Sequence, residues 1–180
     1  KESAEAVCDR IAQMGRRTIA VQSDLCDISC ADEIAGKIVK GFGMPNILVL
    51  NASIQIRKPW QDITPQEFEE QIDCNLRSSL LLMQEFVPDM RQKHWGRVVV
   101  IGSVQERQPH PDMLVYAAGK AAQSNMVHSL AKQLAADGVT VNSVAPGVIL
   151  TDRNTDALAN VAYRAGVVNG IPAGYCGEPE

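Results

Sequence analysis

Four short runs of apolar, largely β-branched residues, separated by longer stretches with helical spacing, constrain this chain more than any other feature. The runs are residues 18–21 (Thr-Ile-Ala-Val), 47–50 (Ile-Leu-Val-Leu), 98–101 (Val-Val-Val-Ile) and 139–144 (Val-Thr-Val-Asn-Ser-Val). They are mostly apolar without strict alternation, the pattern of strands buried on both faces. Between them, residues 33–42 place Ile34, Ile38 and Phe42 on one helical face. A second helix opens on Thr64-Pro65-Gln66-Glu67, in which Thr caps, Pro takes the first turn and Glu reaches back. Its apolar positions Phe68, Ile72, Leu76, Leu80 and Met83 run on toward a stop at His94-Trp95-Gly96. A third helix is expected over residues 113–136, closed by Asp137-Gly138, and residues 1–14 read as a helix as well. This alternation predicts an α/β fold, a doubly wound parallel sheet with helices on both faces and right-handed connections. Ligands of such sheets bind beyond the carboxyl ends of the strands.

Composition removes several classes of function. Acidic residues number 21 against 17 basic, a net charge of −4, so a nucleic-acid binder relying on a basic face is excluded. No window of about 18 consecutive apolar residues exists, which leaves no membrane-spanning helix. The visible N-terminal residues are polar and acidic, without the features of a signal peptide. The five cysteines, at positions 8, 26, 30, 74 and 176, form no Cys-x-x-Cys pair. They predict reduced thiols in a cytoplasmic protein and no metal site. The sequon Asn51-Ala52-Ser53 follows an apolar run and is expected at a buried strand end, as a chance match.

The residues just past the strand runs are Asp24-Leu25, Asn51-Ala52-Ser53, Ser103 and Pro146-Gly147, while Tyr116 and Lys120 share the third helix. An i,i+4 pair lies on one helix face, so the ammonium can approach the phenol. Moving a tyrosine from a pKa of about 10 to about 7 takes roughly 4 kcal/mol. One ammonium at about 4 Å supplies on the order of 4 kcal/mol at an effective dielectric near 20. The pair therefore suits proton transfer, although Tyr and Lys at this spacing are also ordinary surface neighbours. Ser103, 13 residues before Tyr116 and at a strand end, could hold a substrate oxygen from a second side.

Together these residues resemble the short-chain dehydrogenase/reductase family. The resemblance rests on Asp24-Leu25, Asn51-Ala52, Asn75, the string 96–103, Tyr116-Ala117-Ala118-Gly119-Lys120, the string 141–147, Ile171-Pro172-Ala173-Gly174 and Gly177-Glu178-Pro179-Glu180. Its closest wording is that of 3-oxoacyl-acyl-carrier-protein reductases and sugar dehydrogenases. The resemblance implies a Rossmann-like domain over residues 1–180 and an NAD- or NADP-dependent oxidoreductase acting on a secondary alcohol or ketone. It makes Tyr116 the general acid/base, Lys120 its activator and a ligand of the nicotinamide ribose, and Ser103 the group that orients the substrate oxygen. Asn75 would hold a water in a proton relay to Lys120, or simply kink a long helix. Asp24 and Leu25 would flank the adenine, and Asn51, Ala52 and Ser53 the ribose side. Pro146, Gly147, Ile149 and Thr151 would embrace the nicotinamide. A homodimer or homotetramer is implied, and Leu80, Leu81, Leu82 and Phe86 crowd more than one helix face.

Three departures bear on that resemblance. Leu50-Asn51-Ala52-Ser53 replaces the family's Asn-Asn-Ala-Gly, Gly119 stands where Ser is usual, and Glu106 where a small residue is common. Glu106 with Arg107 suggests a polar substrate, and His110 falls in the loop expected to border the cleft. The family's glycine-rich loop after the first strand does not occur in these residues, and they end where another helix and strand are usual. Residues 1–180 are therefore expected to be an internal segment that does not hold NAD(P) tightly or turn over alone. In a sheet ordered 3-2-1-4-5-6 the run at 18–21 would then have no neighbour, and the run at 47–50 would show a bare apolar edge. Alternatives on the same scaffold are a sugar-nucleotide epimerase or dehydratase, a non-catalytic binding protein, and an inactive partial chain.

Overall fold

The computed structural model describes residues 2–179, apart from the side chains of residues 2, 3, 153, 156 and 157. Lys1 and Glu180, which begin the expected first helix and end the last family motif, lie outside the described residues. In chain order come α1 (Glu2–Gln13), α2 (Cys30–Phe42), β1 (Ile47–Leu50), α3 (Pro65–Ile72), a π-helical turn (Asp73–Arg77) and α4 (Ser78–Gln92). Then follow β2 (Gly96–Ile101), α5 (Leu114–Leu134), β3 (Val139–Val144), α6 (Asp152–Ala159) and α7 (Val161–Asn169).

β1, β2 and β3 form a parallel sheet in that order, with Leu50 beside Val100 and Val98 beside Val141. Leu50, Val98, Val100, Val139 and Val141 point to one face. There they join Ala31 and Ala35 of α2, Leu82, Met83, Phe86, Val87 and Met90 of α4, and Val127 and Leu134 of α5. This is the core. The opposite face is uncovered among the described residues: Ile47 and Val49 are more than half exposed. The strand runs are thus not buried on both faces as expected, because every helix in the core cluster packs on the same side. The expectation of parallel strands with flanking helices, in an incomplete Rossmann-like sheet, holds.

The run at 18–21 forms no strand. Among the described residues no strand adjoins it; Ile19 is exposed, while Arg17 caps the end of α2 through the carbonyl of Gly41 and lies over the Phe42 ring. The capping box at Thr64 forms in full, with the Glu67 N–H donating to Thr64 Oγ1 and the Thr64 N–H to Glu67 Oε2. The face expected of this helix holds in part: Met83 is buried and Ile72 and Leu76 are half-buried, but up to Ser79 the buried stripe runs one residue earlier. Phe68 and Leu80 are exposed, whereas Gln71, Cys74, Asn75, Ser78 and Ser79 are buried. That polar stripe is stable because it is hydrogen-bonded: Ser78 Oγ donates to the Cys74 carbonyl, and Ser79 Oγ to that of Asn75.

Candidate active site

The site forms where β2 and β3 end. Past β2, the Gly102 N–H donates to the Val144 carbonyl at 2.7 Å and the Val104 N–H to the Pro146 carbonyl at 2.9 Å. These bonds carry the parallel pairing one step beyond the strands and set Ser103 beside Pro146-Gly147. Ser103 is extended, and its Oγ accepts from the Gln105 N–H at 3.2 Å, which starts a short 3-10 turn.

The first turn of α5 carries Tyr116, 7% exposed, and the next turn carries Lys120, 2% exposed. Lys120 Nζ donates to the Ile101 carbonyl at 2.7 Å, tying α5 to the end of β2 two residues before Ser103. It lies 5.7 Å from the centre of the Tyr116 ring. At that separation its attraction for a negative charge centred on the ring is about 3 kcal/mol at an effective dielectric of 20. Ser103, Tyr116 and Gly147 line one cleft of about 240 Å³, together with Gln55, Arg57, His110, Met113, Asn154 and Tyr163 among others.

Asn75 sits in the π turn, the kind of local widening that recurs at functional sites. Its side chain grips the backbone of Ile54, accepting from the N–H at 2.8 Å and donating to the carbonyl at 2.9 Å. Its own main-chain carbonyl accepts from Gln123 Nε2 at 2.5 Å, three residues past Lys120 on α5. Asn75 is therefore joined to the helix bearing Tyr116 and Lys120 through Gln123, and to the loop after β1 through Ile54. Asn75 thus marks a helix irregularity, with both ends of its side-chain amide taken up by the Ile54 backbone.

The remaining predicted positions lie on loops around the same sheet edge. Asp24 Oδ1 accepts from the Cys26 N–H at 2.9 Å, and this turn docks on the π segment through Arg77 Nη2 to the Cys26 carbonyl. Burial, Cys74 and the neighbouring carboxylates push the Cys26 thiol up to about 11. Leu25 and Ser53 are half-buried, Asn51 and Ala52 exposed. The sequon is thus not buried, since β1 ends at Leu50. The Ile149 carbonyl accepts from the Thr151 N–H and from Asn154 Nδ2, and Ile149 pairs with Gly177.

Glu106 and Arg107 do not line the cleft of Tyr116. Glu106 is turned toward Ser124 and Gly102, and Arg107 into solvent, so the polar-substrate expectation attached to them has no structural basis. Gln71, Gln123, Arg57, Asn154 and Tyr163 were not singled out by sequence. A weak signal existed for two of them: Gln71 precedes Asn75 by one helical turn, and Gln123 follows Lys120 at i+3.

The family model for short chain dehydrogenases matches residues 1–162. The 3-oxoacyl-[acyl-carrier-protein] reductase FabG of Staphylococcus aureus is 34% identical over 160 residues, covering 89% of this chain and 65% of its own length. A crystal structure of a 3-oxoacyl (acyl-carrier-protein) reductase from Agrobacterium tumefaciens, with NADP bound, has a TM-score of 0.91 and 34% identity over 100% of this chain and 70% of its own. A putative NAD(P)-dependent gluconate 5-dehydrogenase from Beutenbergia cavernae, with bound NADP, has a TM-score of 0.92 and 30% identity over 100% and 72%. This chain belongs to the short-chain dehydrogenase family. It spans less than two thirds of the length of the Staphylococcus relative.

Proposed function

We propose that the protein is an NAD- or NADP-dependent oxidoreductase that interconverts a secondary alcohol and a ketone, with residues 1–180 forming a single Rossmann-like unit that carries the proton-transfer site. The observation that carries this reading is the convergence of Ser103, Tyr116 and Gly147 on one cleft, with the buried Lys120 ammonium behind the tyrosine.

The residues present suit a nicotinamide cofactor. A side chain added at Gly147 would meet no atom within 4 Å, so the cleft floor beside Ser103 and Tyr116 is open to a flat ring. Pro146, Gly147, Ile149 and Thr151 would lie along that ring, Asn51, Ala52 and Ser53 along the ribose side, and Asp24 and Leu25 at the adenine. When bound, NAD or NADP supplies or takes the hydride.

The chain's residues do the rest. Tyr116 gives its phenolic proton to the substrate oxygen during carbonyl reduction and takes it back in the reverse direction. Ser103 Oγ, held on the Gln105 N–H, donates to the same oxygen and fixes its position. Lys120, anchored on the Ile101 carbonyl, stabilises the phenolate and would hold the ribose of the bound cofactor. Gln123, on α5, holds the π turn by donating to the Asn75 carbonyl, where a relay water toward Lys120 would bind. Family membership and the bound NADP of two structural neighbours support the cofactor class. Leu80, exposed on the rim of a groove between α4 and α5 that Gln84, Arg91 and Gln133 also line, would meet a second chain in a homodimer or homotetramer. No helix of the described residues is long and apolar enough to cross a membrane, which is compatible with a cytoplasmic protein.

Tyr116→Phe in the full chain tests the reading. General acid–base groups contribute about 100- to 10,000-fold, so NAD(P)H-linked turnover is expected to fall by at least about 100-fold, with cofactor binding by fluorescence preserved. Turnover within about tenfold of wild type would overturn it.

A further inference from the structure

We infer that Arg57 binds a carboxylate of the substrate, and that the protein acts on short hydroxy or oxo acids; this rests on the oxidoreductase reading above. Arg57 lies in the loop after β1, in a segment fixed on both sides. The Ile56 N–H donates to Gln71 Oε1 at 3.1 Å, and the Lys58 N–H donates to the Asp112 carbonyl at 2.9 Å. One turn of loop earlier, Ile54 is held at both its N–H and its carbonyl by Asn75. Its backbone position is therefore set by buried carboxamides and not by solvent.

The guanidinium is held as well. Nη2 lies 2.8 Å from His110 Nε2, and the group sits over the Tyr163 ring at 5.0 Å. An arginine donates and cannot accept, so this contact requires the tautomer with the proton on Nδ1, which then faces the Asp112 carboxylate at 4.0 Å instead of accepting from the Asp112 N–H. That single bond leaves most of the guanidinium's five N–H donors directed elsewhere. Among the described residues no carboxylate lies within 4 Å of Arg57, and no Asp or Glu lines the cleft it shares with Ser103 and Tyr116.

Among the described residues the cleft holds one arginine and no carboxylate, and in a chain of net charge −4 such a cleft attracts an anionic group that the rest of the surface repels. Preorganised arginine suits a carboxylate, which it can hold through two parallel N–H donors. Arg57 lines the same cleft of about 240 Å³ as Ser103 and Tyr116, so the carboxylate and the reacting carbon of the substrate are only a few atoms apart. Gln55 and Asn154 on the same wall suit hydroxyl groups along its carbon chain. The substrate class that meets all of these is a short acid whose hydroxyl or oxo carbon reaches Ser103 and Tyr116 while its carboxylate rests on Arg57.

The test compares a panel of short aliphatic and polyhydroxy acids with their primary amides, in the full chain as wild type, Arg57→Met and Arg57→Lys. Wild type is expected to turn over acids with the lower KM. Arg57→Met is expected to raise KM for the acids by about 10- to 100-fold, the range of a hydrogen bond to a charged group, with kcat little changed and the KM of the amides raised several-fold less. Arg57→Lys should restore part of the loss. Equal effects on acids and amides, equal wild-type KM for both, or no turnover of any acid overturns the inference. Tyr116→Phe separates the two readings: it should abolish turnover of acids and amides alike, and if it does not, the oxidoreductase reading fails whatever Arg57 does.

Discussion

Replacing Lys120 by Met separates the electrostatic role of this residue from any structural one. The ammonium is 2% exposed and donates to the Ile101 carbonyl at 2.7 Å. Its distance of 5.7 Å to the Tyr116 ring centre gives about 3 kcal/mol of attraction for a phenolate at an effective dielectric of 20. Losing that amount lowers kcat/KM about 100-fold. Stability should respond differently. The variant leaves the Ile101 carbonyl without this donor, which costs about 1–3 kcal/mol. It also releases the penalty for burying a charge, itself several kcal/mol, and Met keeps most of the side-chain volume. The two oppose each other, so the midpoint of thermal unfolding is expected to move by less than about 5 °C, given roughly 2–4 °C per kcal/mol in a chain of this size. NAD(P)H-linked turnover and circular-dichroism melts of the full chain provide both numbers. Activity within about threefold of wild type would refute the Coulomb argument, and a collapse of the melt would show that the ammonium is chiefly structural.

Two further outcomes follow from the fold. Gly138 has φ +74°, and a side chain there would place Cβ 2.2 Å from the backbone oxygen of His94. Gly138→Ala is therefore expected to destabilise by more than about 2 kcal/mol, strain and overpacking together, and a thermal melt reads it directly; an unchanged melting temperature contradicts the geometry. Glu67 is held below the usual carboxylate range, first by the Lys58 side chain and then by the Thr64 N–H. A carboxylate with a lowered folded pKa stabilises above its unfolded value near 4.5, and that stability is lost as pH falls through the folded value. Glu67→Gln should thus flatten the acid limb of the stability-against-pH curve relative to wild type while lowering the plateau, and parallel curves would rule this out.

Much of the architecture was legible because strand runs and caps are local signals. The valines of β2 and the Thr64 capping box needed nothing beyond their own neighbours. The run at 18–21 carries the same composition yet forms no strand, since a strand exists only through a partner's backbone and none adjoins it here. Only the first half of the helix from Thr64 was misphased, Met83 falling in the core as expected: Phe68 and Leu80 look like a core face, but what lies opposite that half is the polar backbone of residues 54–56 and the amide of Gln123. Carboxamides were therefore buried in preference to apolar side chains. The cluster of Ser103, Tyr116 and Lys120 could be proposed from spacing, because strand ends and helix turns fix it. Arg57 and Tyr163 could not, for they meet across more than a hundred residues, joined only by the way two loops fold over the cleft.

The widened turn at Asp73–Arg77 settles a matter of phase. Gln71, which grips the loop, and Met90, which lies in the core, are 90 − 71 = 19 residues apart. At about 100° per residue, an unbroken α-helix would overshoot five revolutions by roughly 100°, and the two ends of the stripe would look in different directions. One surplus residue absorbs about that much rotation, so both ends aim inward. Length at this point is consequently far less free than chemistry: a single deletion would twist the loop-gripping carboxamides away from the sheet-packing side chains, and no choice of amino acid could realign both.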